Sequence, residues 1–264
     1  MITTRQPLDF EAGGSVLIHP QPLGSETLLH FMASLLQEPS RSGAFQTMKG
    51  QIDLAQKMAD LIRPGDEEIP LTPLLVRLYV DKAVELARAG ATLDDLPTSI
   101  PDVYFDYLRS VNPPGGISDP DMLRAAEALA ELALGKDFVP REILRSEARK
   151  ALESAGWNET GAPDSILQRL RDNGVVQETN VGTEVLLRFV LDPVAEFLAA
   201  MAHAKRCGER ESAWETLALK IDQAGKQASG FRLALRLVCD AYGKRLGWAC
   251  SEAMSRLTQE PPLP

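Results

Sequence analysis

The sequence predicts a mainly α protein in which a winged helix carries a small β-hairpin, with a remnant of α/β sheet at the N-terminus. Two observations predict it. Apolar residues recur at i, i+3, i+4 and i+7 through most of the chain, the period of helices with one buried face. Downstream of the N-terminal segment, that period is broken at 175–177 and 185–190, two β-branched or apolar runs separated by the turn-rich ETNVGTE.

At the N-terminus, MITTR and SVLIH read as two short strands set off by Pro, Gly and Asp, with nothing nearby to complete a parallel sheet around them. Leu28, Phe31, Met32 and Leu35 then mark a first helix. Leu71, Leu74, Leu75 and Leu78 mark another, and Tyr104, Tyr107, Leu108 and Val111 a third. The stretches 38–50 and 112–119, rich in Pro, Ser and Gly, read as linkers, and VNPPGGISDP is the stronger boundary.

Beyond it, Met122, Ala125, Ala126 and Leu129 open behind Ser118, Asp119 and Pro120, a cap with proline in the first turn. Leu144, Ala148 and Leu152 form a helix ended at Gly156; Ile166, Leu167 and Leu170 form a short one that stops at Asn173-Gly174. Helix, helix, helix, hairpin is the order of a winged helix. In LLRFVLDPVAEFLAA the second strand gives way at Asp192-Pro193, read as a cap, to a helix with Val194, Phe197, Leu198 and Met201 on one face. Trp214, Leu217, Ala218 and Ile221, then Phe231, Ala234, Leu235 and Val238, give a terminal helical hairpin punctuated by Gly225 and Gly230. The organisation expected is therefore 1–20 sheet remnant, 21–112 helical domain, 113–205 winged helix and 206–264 helical hairpin.

Composition narrows the function. The chain of 264 residues has no run of apolar residues long enough to span a bilayer and no basic-then-apolar leader, so a cytoplasmic address and no membrane partner are expected. Cys207, Cys239 and Cys250 are an odd, widely spaced set, and His19, His30 and His203 lie far apart, so neither a disulfide framework nor a metal knuckle is expected. A net charge of −9 opposes binding to a phosphate backbone. The candidate recognition helix PDSILQRLRDN sets Arg169 and Arg171 against Asp164 and Asp172, and the wing adds two glutamates, so no nucleic-acid partner is expected. Glu196 reads as capping or pairing with Arg188, and Tyr104, Phe105 and Tyr107 as a packed helix face.

Four stretches resemble the distal part of a NACHT-type STAND ATPase, a signalling switch related to the AAA+ proteins. MITTR is similar to the family's sensor-1 strand, with Arg5 at the sensor position. IPLTPLLVRLYV resembles the stretch whose proline, here Pro73, packs near the adenine. LPTSIPDVYFDYL resembles the closing helix of the helical lid domain, which would be 21–112, and RFVLDPVAEFLAA the end of the winged-helix domain. There the family has a histidine that touches the β-phosphate of ADP, and this chain has Leu191; an imidazole can donate a hydrogen bond to phosphate and an isobutyl group cannot.

The resemblance covers residues 2 to 205, beginning near sensor 1, so residues 1–20 would be the remnant of the nucleotide-binding core. It implies ATP or ADP with Mg²⁺ in the complete architecture. No GxxxxGK[ST] phosphate cradle occurs in the sequence, so no ATP hydrolysis, no catalytic residue and no cofactor are expected of this chain alone, nor a metal. The expected role is a regulatory segment that packs against a P-loop nucleotide-binding core and oligomerises only with it. An independent winged-helix DNA-binding regulator and a stand-alone helical adaptor are the alternatives.

Overall fold

The computed structural model describes residues 25–41, 43, 45, 47–62, 73–110, 119–157 and 162–243. MITTR and SVLIH lie outside them. The described chain is mainly helical with one small antiparallel sheet.

The first unit packs α1 (Ser25–Gln37), α2 (Met48–Ile62), α3 (Pro73–Arg88) and α4 (Ile100–Ser110). Leu28, Met32 and Leu35 of α1 meet Leu54 and Met58 of α2 and Val76 and Tyr79 of α3, all buried. Helix α2 corrects the linker read over 38–50: the helix begins inside that stretch, and the linker composition stops short of it. Arg41, 5% exposed, closes the loop after α1 by pairing with Glu38 and by donating from Nε to Asp81 of α3 at 2.6 Å. A short 3₁₀ turn at Leu93–Asp95 leads into α4. It is fixed by a capping box in which the Thr92 hydroxyl accepts from the Asp94 N–H and the Asp95 carboxylate accepts from the Thr92 N–H.

The second unit is a winged helix: α5 (Asp119–Leu134), β1 (Ile143–Leu144), α6 (Arg145–Ser154), α7 (Ala162–Asp172), β2 (Val176–Val181), β3 (Glu184–Phe189) and α8 (Asp192–Cys207). The sheet order is β1-β3-β2, with Ile143 opposite Leu187, and Val176 opposite Phe189. Strand β1 is too short to show a period in sequence, yet it supplies the third strand. The hairpin is longer than its apolar runs, because both strands continue into ETNVGTE and only Gly182 and Thr183 turn. Its root packs on the helices through Val176, Leu187 and Phe189, whereas Val181 near the tip is 55% exposed.

Helix ends follow the glycines. At α7 the Gly174 N–H donates to the Arg171 carbonyl and the Val175 N–H to the Leu170 carbonyl, with Gly174 at φ +70°. That is the paired closure of a Schellman motif, and a left-handed residue there favours glycine. Gly156 closes α6 with the same pattern.

Two helices complete the described residues, α9 (Glu211–Ala224) and α10 (Ser229–Tyr242), joined by a 3₁₀ turn at Gly225–Ala228; Gly230 lies inside α10 rather than between the two. Helix α8 is the most enclosed element, packed against α5, α10, α4, α9 and β3, with Ala195, Ala199, Ala200 and Ala204 fully buried. Tyr104 and Phe105 of α4 meet Phe197 of α8 at ring separations of 5.3 and 5.2 Å, and Phe105 meets Tyr242 of α10 at 5.5 Å. The aromatic face expected on α4 is thus the seam on which the helical unit, the winged helix and the terminal hairpin meet. Among the described residues no helix is long and apolar enough to cross a membrane.

Candidate functional site

The strand-to-helix join settles where Leu191 goes. The chain leaves β3 at Phe189, and Leu191 is the cap position of α8, with extended backbone at φ −126° and ψ 108° and its carbonyl accepting from the Val194 and Ala195 N–H groups. Its side chain makes no capping hydrogen bond, so the cap read at Asp192-Pro193 shifts by one: Asp192 is already helical and Pro193 sits in the first turn, where a missing N–H costs nothing. Asp192 pairs with Arg188 at 3.5 Å. Arg188 is engaged by Asp192, and Glu196 is buried in α8 at 4% exposure.

Half-buried Leu191 forms one wall of a groove of about 380 Å³ between α3 and α4. Leu74, Leu78 and Val103 line it with Tyr107, and Arg77, Asp81, Lys82, Glu85 and Asp106 form its polar lining. Pro73 is the first residue of α3 and exposed, one position before Leu74. The fold therefore brings Leu191 and the first turn of the helix begun by Pro73 to one groove, although 118 positions separate the two in sequence. Arg5 lies outside the described residues.

The groove's charges are mutually satisfied. Asp81 accepts from Arg41 and lies 3.7 Å from Arg77; Lys82 lies 3.3 Å from Glu85 and 3.7 Å from Asp106, which also pairs with Arg109 at 3.4 Å. The Ser110 hydroxyl donates to the Tyr107 carbonyl at 2.7 Å, so it is held against its own helix, and burial pushes the Tyr107 phenol up. The lining supplies an apolar floor and a rim of paired charges. Among the described residues no group of three or more His, Cys, Asp or Glu side chains could hold a metal ion.

The polar lining escaped sequence reasoning, though a signal for it existed. Arg77, Asp81 and Glu85 recur at i, i+4 and i+8 beside the Leu74–Leu78 stripe, which marks a polar edge next to an apolar one.

The winged helix presents paired arginines. Arg171 of α7 lies 3.0 Å from Glu178 of β2 and 3.1 Å from Asp172. Arg145 lies 3.3 Å from both Asp164 and Glu178, and Arg149 lies 3.2 Å from Glu153 and 3.5 Å from Asp164. These pairs staple α6, α7 and the hairpin together. Comparison with protein-family models, curated proteins and solved structures gives no match.

Proposed function

We propose that this chain is a non-catalytic regulatory and interaction segment that packs against a separate P-loop nucleotide-binding core, as the helical lid and winged helix of NACHT-type STAND switches do. One observation supports the reading: Leu191 lines a groove between α3 and α4 together with Leu74, the residue that follows Pro73. ATP or ADP with Mg²⁺ would be held by the core. Pro73, exposed at the edge, would contribute an apolar contact to the adenine, and Leu191 an apolar wall in place of a phosphate donor. Work of this kind lies in a domain interface with two arrangements, and it is placed in the cytoplasm.

The paired arginines support protein packing over DNA reading. A duplex-binding winged helix needs basic side chains available for phosphate, and Arg145, Arg149 and Arg171 each lie against carboxylates.

The experiment has two arms. A fluorescent ADP analogue titrated into the chain with Mg²⁺ should show no saturable binding below about 100 μM that Leu191→Asp abolishes. Cross-linking in cells followed by mass spectrometry should then capture a P-loop protein with the wild-type chain and lose it with Leu191→Asp. Micromolar nucleotide binding that Leu191→Asp abolishes, or capture only of proteins without a P-loop, overturns the reading.

A further inference from the structure

A second and larger cleft, of about 670 Å³, opens between the loop that follows α5 and helices α8 and α9. Its lining includes Lys136, Phe138, His203, Arg206 and Lys220 with Glu131. Three features set it apart from ordinary surface.

The first is a strained loop. Phe138 is the one non-glycine residue at positive φ, 55°, among the described residues. It is 4% exposed and stacks on Phe231 at 4.6 Å, so packing holds the backbone in a region that disfavours a side chain. Gly135, at φ +59°, gives the same loop a second left-handed residue, a conformation that favours glycine. The loop is preorganised against the cleft.

The second is charge. The chain is acidic at −9, yet this cleft is lined by three cationic side chains and two carboxylates, Glu131 and Asp137. Glu131 accepts from Arg206 and lies 3.5 Å from His203 Nε2. Lys136 and Lys220 have no ion-pair partner among the described residues. The third is His203 itself, boxed in by Phe138 at 5.9 Å and Phe231 at 5.5 Å. Burial, with Arg206 and Lys220 near its ring, holds the imidazole neutral, so it can donate one hydrogen bond and accept another. Perturbed titratable groups gathered in a concave, partly apolar site are the signature of ligand binding.

We propose that this cleft binds a small organic phosphate, with its phosphoryl group on Lys220 and Lys136 and its organic part against Leu132 and Phe138. The groove at Leu191 is a separate place, with balanced charges, so the two assignments stand or fall independently.

Isothermal titration of the full chain with phenyl phosphate, with inorganic phosphate as a second arm, tests the proposal. Phenyl phosphate should saturate one site and bind about tenfold more tightly than inorganic phosphate, because only it fills the apolar part. Lys220→Glu should weaken it about tenfold or more without lowering Tm, whereas Lys150→Glu, exposed on α6, should leave it unchanged. Lys136→Glu gives a second reading from the opposite wall, and the His203 ring NMR signals should move on saturation. Absence of saturable binding, equal weakening by Lys150→Glu, or His203 signals that stay in place overturns it.

Discussion

The Tyr242 hydroxyl donates to Asp102 Oδ1 at 2.8 Å, joining α10 to α4 across 140 positions of sequence. The other carboxylate oxygen of Asp102 accepts from the Ser99 hydroxyl at 2.7 Å, and that hydroxyl accepts from the Asp102 N–H, so Ser99 caps α4 while the Asp102 side chain holds the cap and receives the last described helix.

Tyr242→Phe keeps the ring contact with Phe105 and removes only the hydroxyl. Tyr242 is 5% exposed, so water cannot fully replace the lost donor. The variant should be less stable by about 1–2 kcal/mol in urea denaturation, with an unchanged m-value. A loss under about 0.3 kcal/mol would mean that the contact does not help hold α10 in place.

His203 sets a pH dependence. Burial first, then repulsion from Arg206 and Lys220, lowers its pKa from 6.5 to about 4. As pH falls, the unfolded chain therefore takes up the proton before the folded one, and the folded state loses stability between pH about 6.5 and about 4. The full shift corresponds to about 3 kcal/mol. Burial raises Glu127 and Glu131, so their contributions run the other way and are lost as pH rises through their own values. The difference between wild type and His203→Gln isolates the histidine. Wild type should lose more stability than the variant between pH 6.5 and 4, and parallel profiles would contradict the assignment.

Gly208 ends α8 at φ 51° and ψ −128°, a region open to glycine and closed to side chains. An added Cβ would have ordinary room, its nearest neighbour being the Lys205 carbonyl oxygen at 3.8 Å, so the cost of Gly208→Ala is conformational. It should destabilise by about 1–3 kcal/mol in chemical denaturation. The Gly208 carbonyl also accepts from Nε1 of fully buried Trp214 at 2.9 Å, so the near-ultraviolet signal of that tryptophan should change in the same variant.

Helices with long apolar stripes were legible from sequence because one face alone is buried. Leu28, Met32 and Leu35, and Trp214, Leu217 and Ile221, are buried as their spacing predicts. Helix α2 was hidden by the loop-like composition before it, although Leu54 and Met58, both fully buried, carry the i, i+4 signal. Strand β1 could not be read, since two residues have no period and its pairing with β3 is a long-range fact. For the same reason Leu191 was legible as a position but the groove it shares with Leu74 was not. His203 looked isolated because Glu131 and Lys220 reach it only through the packing of α5, α8 and α9.

The fully buried alanines of α8 have a consequence for how this protein can vary. Ala195, Ala199, Ala200 and Ala204 are each 0% exposed among packed neighbours, so a larger side chain there would have to displace close-packed atoms. A pool of random variants selected for folding would therefore be purged of bulky residues at these four sites, leaving glycine, serine and alanine, while exposed Leu219 on the next helix would drift freely.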